Sequence, residues 1–331
     1  MKILLSRTDS IGDVILTLPM AGVLKHNYPN CEIFFLGRKY TKDVVLCCSS
    51  VNHFLDWDEI QKDDDPLRFF KQEKFDAIVH VFPNKSIAQL AKQAKIPLRI
   101  GTNRRYFNLI YCNKLVNLSR KNSHLHESQL NLKLLTKLNI SYSFSLKELG
   151  EFLNFNRLPA LGENFISLID PKKFNLILHP KSKGSAREWS AENYIELCNN
   201  LPPEKFKVFV SGTKEEESEI NEKILSHCQN AISVVGKFKL SEFISFIDAC
   251  DGLVACSTGP LHIAGALGKR AIGLYPPIKN MTPSRWAALG PRAINLTGPS
   301  KNGCSVKICN KNKKCDCLNL IKPKDIFEYM N

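Results

Sequence analysis

Short apolar runs alternate with helix-patterned segments along nearly the whole chain, and the series runs twice. Few folds accept that order. A strand can be joined to a parallel neighbour only through a crossover, so strand–helix alternation calls for a parallel sheet with helices on both faces. In the first half the strand signals are 2–5, 32–36 closed by Gly37, 77–82 and 99–101. Helical spacing covers 14–26, started or kinked near Pro19, and then 85–95 and 130–138. Between 140 and 172 the periodicity weakens and Asn, Ser, Gly and Pro accumulate. The alternation then restarts. Strands are predicted at 175–178, 207–210, 233–235 closed by Gly236, 252–255 and, last, 271–275, with helices at 191–201 and 240–250. The expectation is an α/β protein of two similar domains, 1–160 and 161–331, a division that a length of 331 residues suits.

The apolar fraction of 44% supports real cores. Every apolar stretch is broken by Pro, His or Lys well before the roughly 18 residues of a membrane span. The N-terminus holds only a brief apolar run before Arg7 and Asp9, unlike a signal peptide, so the expected compartment is the cytoplasm. Of 12 cysteines, eight are scattered as small hydrophobes would be. Cys304, Cys309, Cys315 and Cys317 cluster in a Lys-rich tail but form no C-x-x-C pair, which is not zinc-ribbon spacing. The net charge of +14 asks for an anionic partner: nucleic acid, anionic lipid or a phosphorylated substrate. No helix-turn-helix, RNP-like or zinc-finger pattern is present and the cations are dispersed, which argues against nucleic acid.

Ligands of such sheets bind at the carboxyl ends of strands, and four loops there carry chemistry. The segment Cys256-Ser257-Thr258-Gly259-Pro260-Leu261-His262-Ile263-Ala264 reads as strand end, tight turn and helix start. Unpaired amides and the positive end of the helix suit a nucleotide diphosphate, although small residues also cap helices that bind nothing. His262 falls one turn after Thr258. The loop 181–189 carries Lys181, Lys183 and Arg187 with two serines, a set that suits a pyrophosphate. In 211–217, a glutamate is placed to bind ribose or sugar hydroxyls, or simply to stabilise a helix start. In the first half, the loop 6–13 ends in Gly12-Asp13, where Asp13 is either an N-cap or a general base facing the ligand.

Taken in order, these segments resemble glycosyltransferase family 9, the ADP-heptose:lipopolysaccharide heptosyltransferases. The resemblance covers nearly the whole chain. It rests on Ile11-Gly12-Asp13-Val14-Ile15-Leu16-Thr17-Leu18-Pro19, His179-Pro180, Arg187-Glu188-Trp189, Ser211-Gly212-Thr213 with Glu215-Glu216, the segment Ser257–Ala264, and Cys317-Leu318 with Ile321-Lys322-Pro323. It implies a GT-B architecture, two Rossmann-like domains facing each other across a cleft. The N-terminal one takes a lipid-linked acceptor and the C-terminal one a nucleotide sugar. It implies an inverting, metal-independent enzyme without cofactor. Asp13 matches the base. Lys183, Arg187, Glu216, Ser257, Thr258, Gly259 and His262 form the donor site. Arg99, Arg104 and Arg105 are candidates for an anionic lipooligosaccharide acceptor, and basic faces would hold the protein at the inner leaflet of the membrane. Ser257 stands where many members have Asp, Arg187 where several have Lys, and Gly265 where Ala is common. The serine leaves the donor sugar open. A GT-B protein using another nucleotide sugar, or a silent scaffold at the membrane, is the competing reading.

Overall fold

A computed structural model describes residues 1–120, 123–299 and 317–330. The chain divides into two compact units, Met1–Arg157 and Leu158–Asn331. The first holds β1 (Lys2–Ser6), β2 (Glu32–Gly37), β3 (His53–Asp56), β4 (Ala77–His80), β5 (Leu98–Thr102) and β6 (Lys114–Val116). They form one sheet in the order β3-β2-β1-β4-β5-β6, parallel throughout. The second holds β7 (Phe174–His179), β8 (Phe206–Val210), β9 (Ala231–Ser233), β10 (Gly252–Cys256), β11 (Arg270–Tyr275) and β12 (Ala293–Thr297). Its order, β12-β11-β10-β7-β8-β9, is again parallel and repeats the first topology. In each sheet the order reverses at one point, between β1 and β4 and between β7 and β10. A crevice opens there at the carboxyl ends.

The central strands are buried on both faces and read as unbroken apolar runs, as parallel strands must. In the first unit Leu4, Phe34, Leu36 and Ile78 pack with Ile87 and Ala91 of the helix Lys85–Gln93. In the second, Leu176, Leu178, Val254 and Ile272 pack with Tyr194 and Leu197. Each buried Leu, Ile, Val or Phe among them contributes roughly 1.5–3 kcal/mol. The segment 317–330 closes that core, with Leu318, Ile321, Ile326 and Met330 in it. The Trp189 indole donates to the Ile321 carbonyl at 3.0 Å and fixes the segment in place. Trp189 and the buried Cys317 therefore serve packing. Cys304, Cys309 and Cys315 lie outside the described residues.

The structure corrects several boundaries. Strands His53–Asp56, Lys114–Val116 and Ala293–Thr297 lie where none was expected, so 271–275 is not the last, and the strand placed at 233–235 is Ala231–Ser233. The helix expected at 130–138 starts earlier, at Glu127, where His126 and Gln129 form a capping box, and tightens to a 3-10 helix over Lys133–Leu138. The pattern at 14–26 is two helices, Ile11–Ile15 and Leu18–Asn27, the second with Pro19 in its first turn, where a missing N–H costs nothing. Gly12 and Asp13 thus lie inside a helix start, not in a loop before it.

Candidate functional site

In the first unit Asp13 sits in the first turn of Ile11–Ile15, just past the carboxyl end of β1. The helix dipole favours a carboxylate there. Ser10 is the N-cap residue, so Asp13 is not. The Ser10 hydroxyl donates to Asp13 Oδ2 at 2.7 Å, and Arg7 Nη2 donates to Oδ1. Arg7 is only 3% exposed and divides its donors among three carboxylates. Nε reaches Asp9 at 2.7 Å and Nη1 reaches Glu127 at 3.0 Å. Arg120 Nε meets the same Glu127 oxygen at 3.0 Å, and Arg120 Nη2 meets Asn131 at 2.9 Å. Burial works against the charge on Arg7, but Asp9, Glu127 and Asp13 more than offset it, and its pKa is raised. Burial lifts Asp9 to about 6, against the pull of Arg7 and helped by the charge of Asp13. A partly buried network of two guanidiniums and three carboxylates, with Arg7 and Glu127 at its buried centre, thus holds Asp13 in place. The motif search singled out Asp13 but missed Arg7, Asp9, Arg120 and Glu127. Arg7 and Asp9 lie inside the loop 6–13; Glu127 lies ahead of the helix expected at 130–138, in a stretch with no chemical signal of its own.

In the second unit the loops after β8, β7 and β10 leave three adjacent strands. The helix Gly259–Ala266 follows β10, with extended Thr258 as N-cap, no capping side chain and no acid in its first turn. Thr258 is buried, and its hydroxyl has no hydrogen-bond partner among the described residues. The Thr258 amide is turned to the Cys256 carbonyl at 2.6 Å and Pro260 has no N–H, so the Gly259 amide and the positive end of the helix are what this turn keeps for an anion. Gly265 packs where an added Cβ would stand 2.6 Å from the Leu289 carbonyl, so the alanine common at this position does not fit. His262 is buried within the same helix.

The loop 181–189 turns through left-handed Lys183 and Gly184. It is held by Ser182, whose amide donates to Glu188 at 2.9 Å and whose hydroxyl meets the Ala186 carbonyl at 3.0 Å. The cations expected to await phosphate have carboxylate company. Lys181 pairs with Glu188 at 2.8 Å and Glu219 at 3.1 Å, while exposed Lys183 pairs with Glu215 at 3.1 Å. The neighbouring Thr213 side chain and then Lys183 hold Glu215 down at about 2. Arg187 is half-buried. The Trp189 main chain meets the Cys256 thiol, so this loop also lies against the end of β10. Glu216 accepts from the Thr213 amide at 2.8 Å in a capping box, the structural role that a helix-start acid was also expected to fill. His179 and Ser211, which stand in two separate segments of the family resemblance, meet at the ends of β7 and β8. There buried His179 Nδ1 meets Ser211 Oγ at 2.9 Å, and burial pushes the imidazole down to about 4.

The acceptor candidates separate. Arg99 is committed to the fold: Nε donates to the Tyr111 carbonyl at 2.9 Å and Nη1 to that of Ile96. Arg104 is exposed and reaches Asn117 at 3.0 Å, and Arg105 is exposed. Among the described residues no three His, Cys, Asp or Glu side chains gather to hold a metal ion.

Two parallel six-stranded sheets of the same doubly wound topology define the GT-B class. The family described as glycosyltransferase family 9 (heptosyltransferase) matches residues 67–315, and the chain belongs to it; it is a glycosyltransferase. The matched range begins after Asp13. The lipopolysaccharide core heptosyltransferase OpsX of Haemophilus influenzae is 24% identical over 285 residues, 81% of this chain and 77% of that one. Among solved structures, a family 9 glycosyl transferase of Veillonella parvula superposes with TM-score 0.80 at 18% identity, covering 99% of this chain and 95% of that one. The ADP-heptose lipopolysaccharide heptosyltransferase II of E. coli gives 0.74 at 18%, covering 100% and 98%.

Proposed function

We propose that this enzyme moves a heptose from ADP-heptose to the core of a lipopolysaccharide or lipooligosaccharide acceptor, with inversion and without a metal. The donor and acceptor classes follow the names of its relatives. The observation that carries the chemistry is Asp13, held by Arg7 and Ser10 at the carboxyl end of β1. Asp13 takes the proton of an acceptor hydroxyl, the oxygen attacks the anomeric carbon, and the C1–O bond to the diphosphate breaks on the opposite face. A positioned base of this kind is worth roughly 10²–10⁴-fold. The departing ADP leaves as an anion, which the amides of Ser257 and Gly259, Arg187 and Lys183 stabilise where charge develops. For Lys183 to do so it exchanges Glu215 for phosphate; a pair so exposed contributes little and gives way readily. Thr258 supplies a buried hydroxyl beside the phosphates and Glu216 contacts the ribose beyond its cap, with His262 packing the phosphate-binding turn from within. Arg104 and Arg105 remain the acceptor candidates, with Arg99 supporting their loop.

The test is a panel of nucleotide sugars scored by heat unfolding, followed by acceptor-dependent nucleotide release. ADP-heptose at about 100 times its Kd should stabilise the chain by roughly 2.7 kcal/mol. A larger gain with a UDP- or GDP-sugar would overturn the donor assignment, and no release with any acceptor would favour a silent scaffold.

A further inference from the structure

Residues 77–126 contain no aspartate or glutamate, yet they carry nine lysines and arginines. They build β4, β5, β6 and the helices Lys85–Gln93 and Tyr106–Tyr111. The second helix turns Asn108 inward, where its Nδ2 donates to the Thr102 carbonyl at 2.9 Å, and Cys112 is buried behind it. Tyr106, Leu109 and Ile110, spaced i, i+3 and i+4, share a face and are 68%, 58% and 55% exposed. Singly exposed apolar side chains are ordinary; three large ones on one face of a short helix form a patch. The rim of that patch is cationic. Exposed Lys92 reaches the Ile110 carbonyl at 3.0 Å, and Arg104 and Arg105 lead directly into the helix, with Lys95 and Lys114 exposed on neighbouring segments.

An apolar wedge within a basic rim is the complement of an anionic bilayer: rings and aliphatic groups enter the headgroup–acyl boundary while cations stay at the phosphates. A second copy of this chain is a poorer occupant, because it would set one acid-free basic surface against another. We propose that the helix Tyr106–Tyr111 is the docking element of the first unit on an anionic lipid surface, with Tyr106, Leu109 and Ile110 inserted and Arg104 and Arg105 on lipid phosphates. This goes with the lipid-linked acceptor proposed above but requires no catalysis.

The test is sedimentation of the full chain with vesicles of phosphatidylcholine alone or mixed with phosphatidylglycerol, with no sugar donor or acceptor present. Wild type should pellet with the mixed vesicles only, and salt should weaken that binding. Leu109→Ser with Ile110→Ser, folded by circular dichroism, should lower the partition coefficient about ten-fold or more, and Arg104→Ser with Arg105→Ser by roughly five-fold per charge. Wild type left in the supernatant, or an apolar double variant that pellets equally well, would overturn the assignment. So would a dimer in solution that the apolar variant converts to monomer, since the face would then be a self-interface. Each of these failures leaves the transferase reading standing, because no transfer is measured.

Discussion

Arg7 donates one nitrogen to Asp13 and another to Glu127, a residue 120 positions further along the chain. The proposed base is therefore aimed by a buried carboxylate whose side chain is 1% exposed. Glu127 also receives Arg120. Replacing it by Ala leaves two guanidiniums without their shared anion, and the penalty for breaking a buried pair runs to about 3–5 kcal/mol. Urea unfolding of Glu127→Ala should show a loss of that order. Glu127→Gln, which keeps an acceptor oxygen, should lose less stability but retain little of the transfer rate if Arg7 no longer holds Asp13.

Two buried imidazoles set the acid response of the fold. His80 and His179 are both pushed down to about 4, chiefly by burial, with Arg99 adding to the effect at His80. Unfolded, each binds a proton near pH 6.5. Stability from these groups is thus present above about 6.5 and lost as pH falls toward 4. Asp9 acts in the opposite sense. Its folded pKa of about 6 lies above the ordinary carboxylate value, so its share rises as pH falls through the window from 6 to 4. Urea midpoints measured from pH 7 to pH 4.5 should fall less steeply in His179→Gln than in wild type, and more steeply in Asp9→Asn.

Gly265 tests the packing of the helix Gly259–Ala266, where phosphate is proposed to bind. An alanine there meets the Leu289 carbonyl at 2.6 Å, a backbone atom that does not move aside cheaply. Overpacking of this kind costs about 1–3 kcal/mol. Gly265→Ala should unfold at a lower temperature and bind donor more weakly, because the Thr258 end shifts with the helix. Unchanged unfolding would mean that the segment around Leu289 yields freely.

The exposed Lys183–Glu215 pair makes a contrasting case. Glu215→Gln should leave the melting temperature unchanged, since an exposed pair adds little to stability. It should lower the donor KM, because Lys183 no longer has to leave a carboxylate to meet phosphate. Initial rates over a donor series, read beside a melting curve, check both halves. Arg187→Ala should raise the donor KM instead.

What could be read in the sequence followed burial. The central strands β1, β4, β7 and β10 announce themselves as unbroken apolar runs because helices cover both faces. The strands missed or misplaced, β3, β6, β9 and β12, are the four sheet edges. Their side chains are half-exposed, so neither alternation nor a continuous apolar run marks them. The site divided in the same way. The helix start at Thr258 and Gly259 was visible because a turn of small residues after a strand has local signs. The Arg7–Glu127 contact was not, since it joins residues far apart in sequence through a fold that must form first. Lys181 and Arg99 looked like free cations because the position of a charge in the sequence does not reveal its partner; one proved to be salt-bridged and the other engaged with backbone carbonyls.

Acceptor-dependent release of ADP from ADP-heptose by Asp13→Asn, beside wild type and at saturating donor, bears most directly on the proposed chemistry. The variant should fold and bind donor as wild type does, yet turn over at least about 10²-fold more slowly. Turnover at the wild-type rate would remove Asp13 from the chemistry, and the proposed mechanism with it.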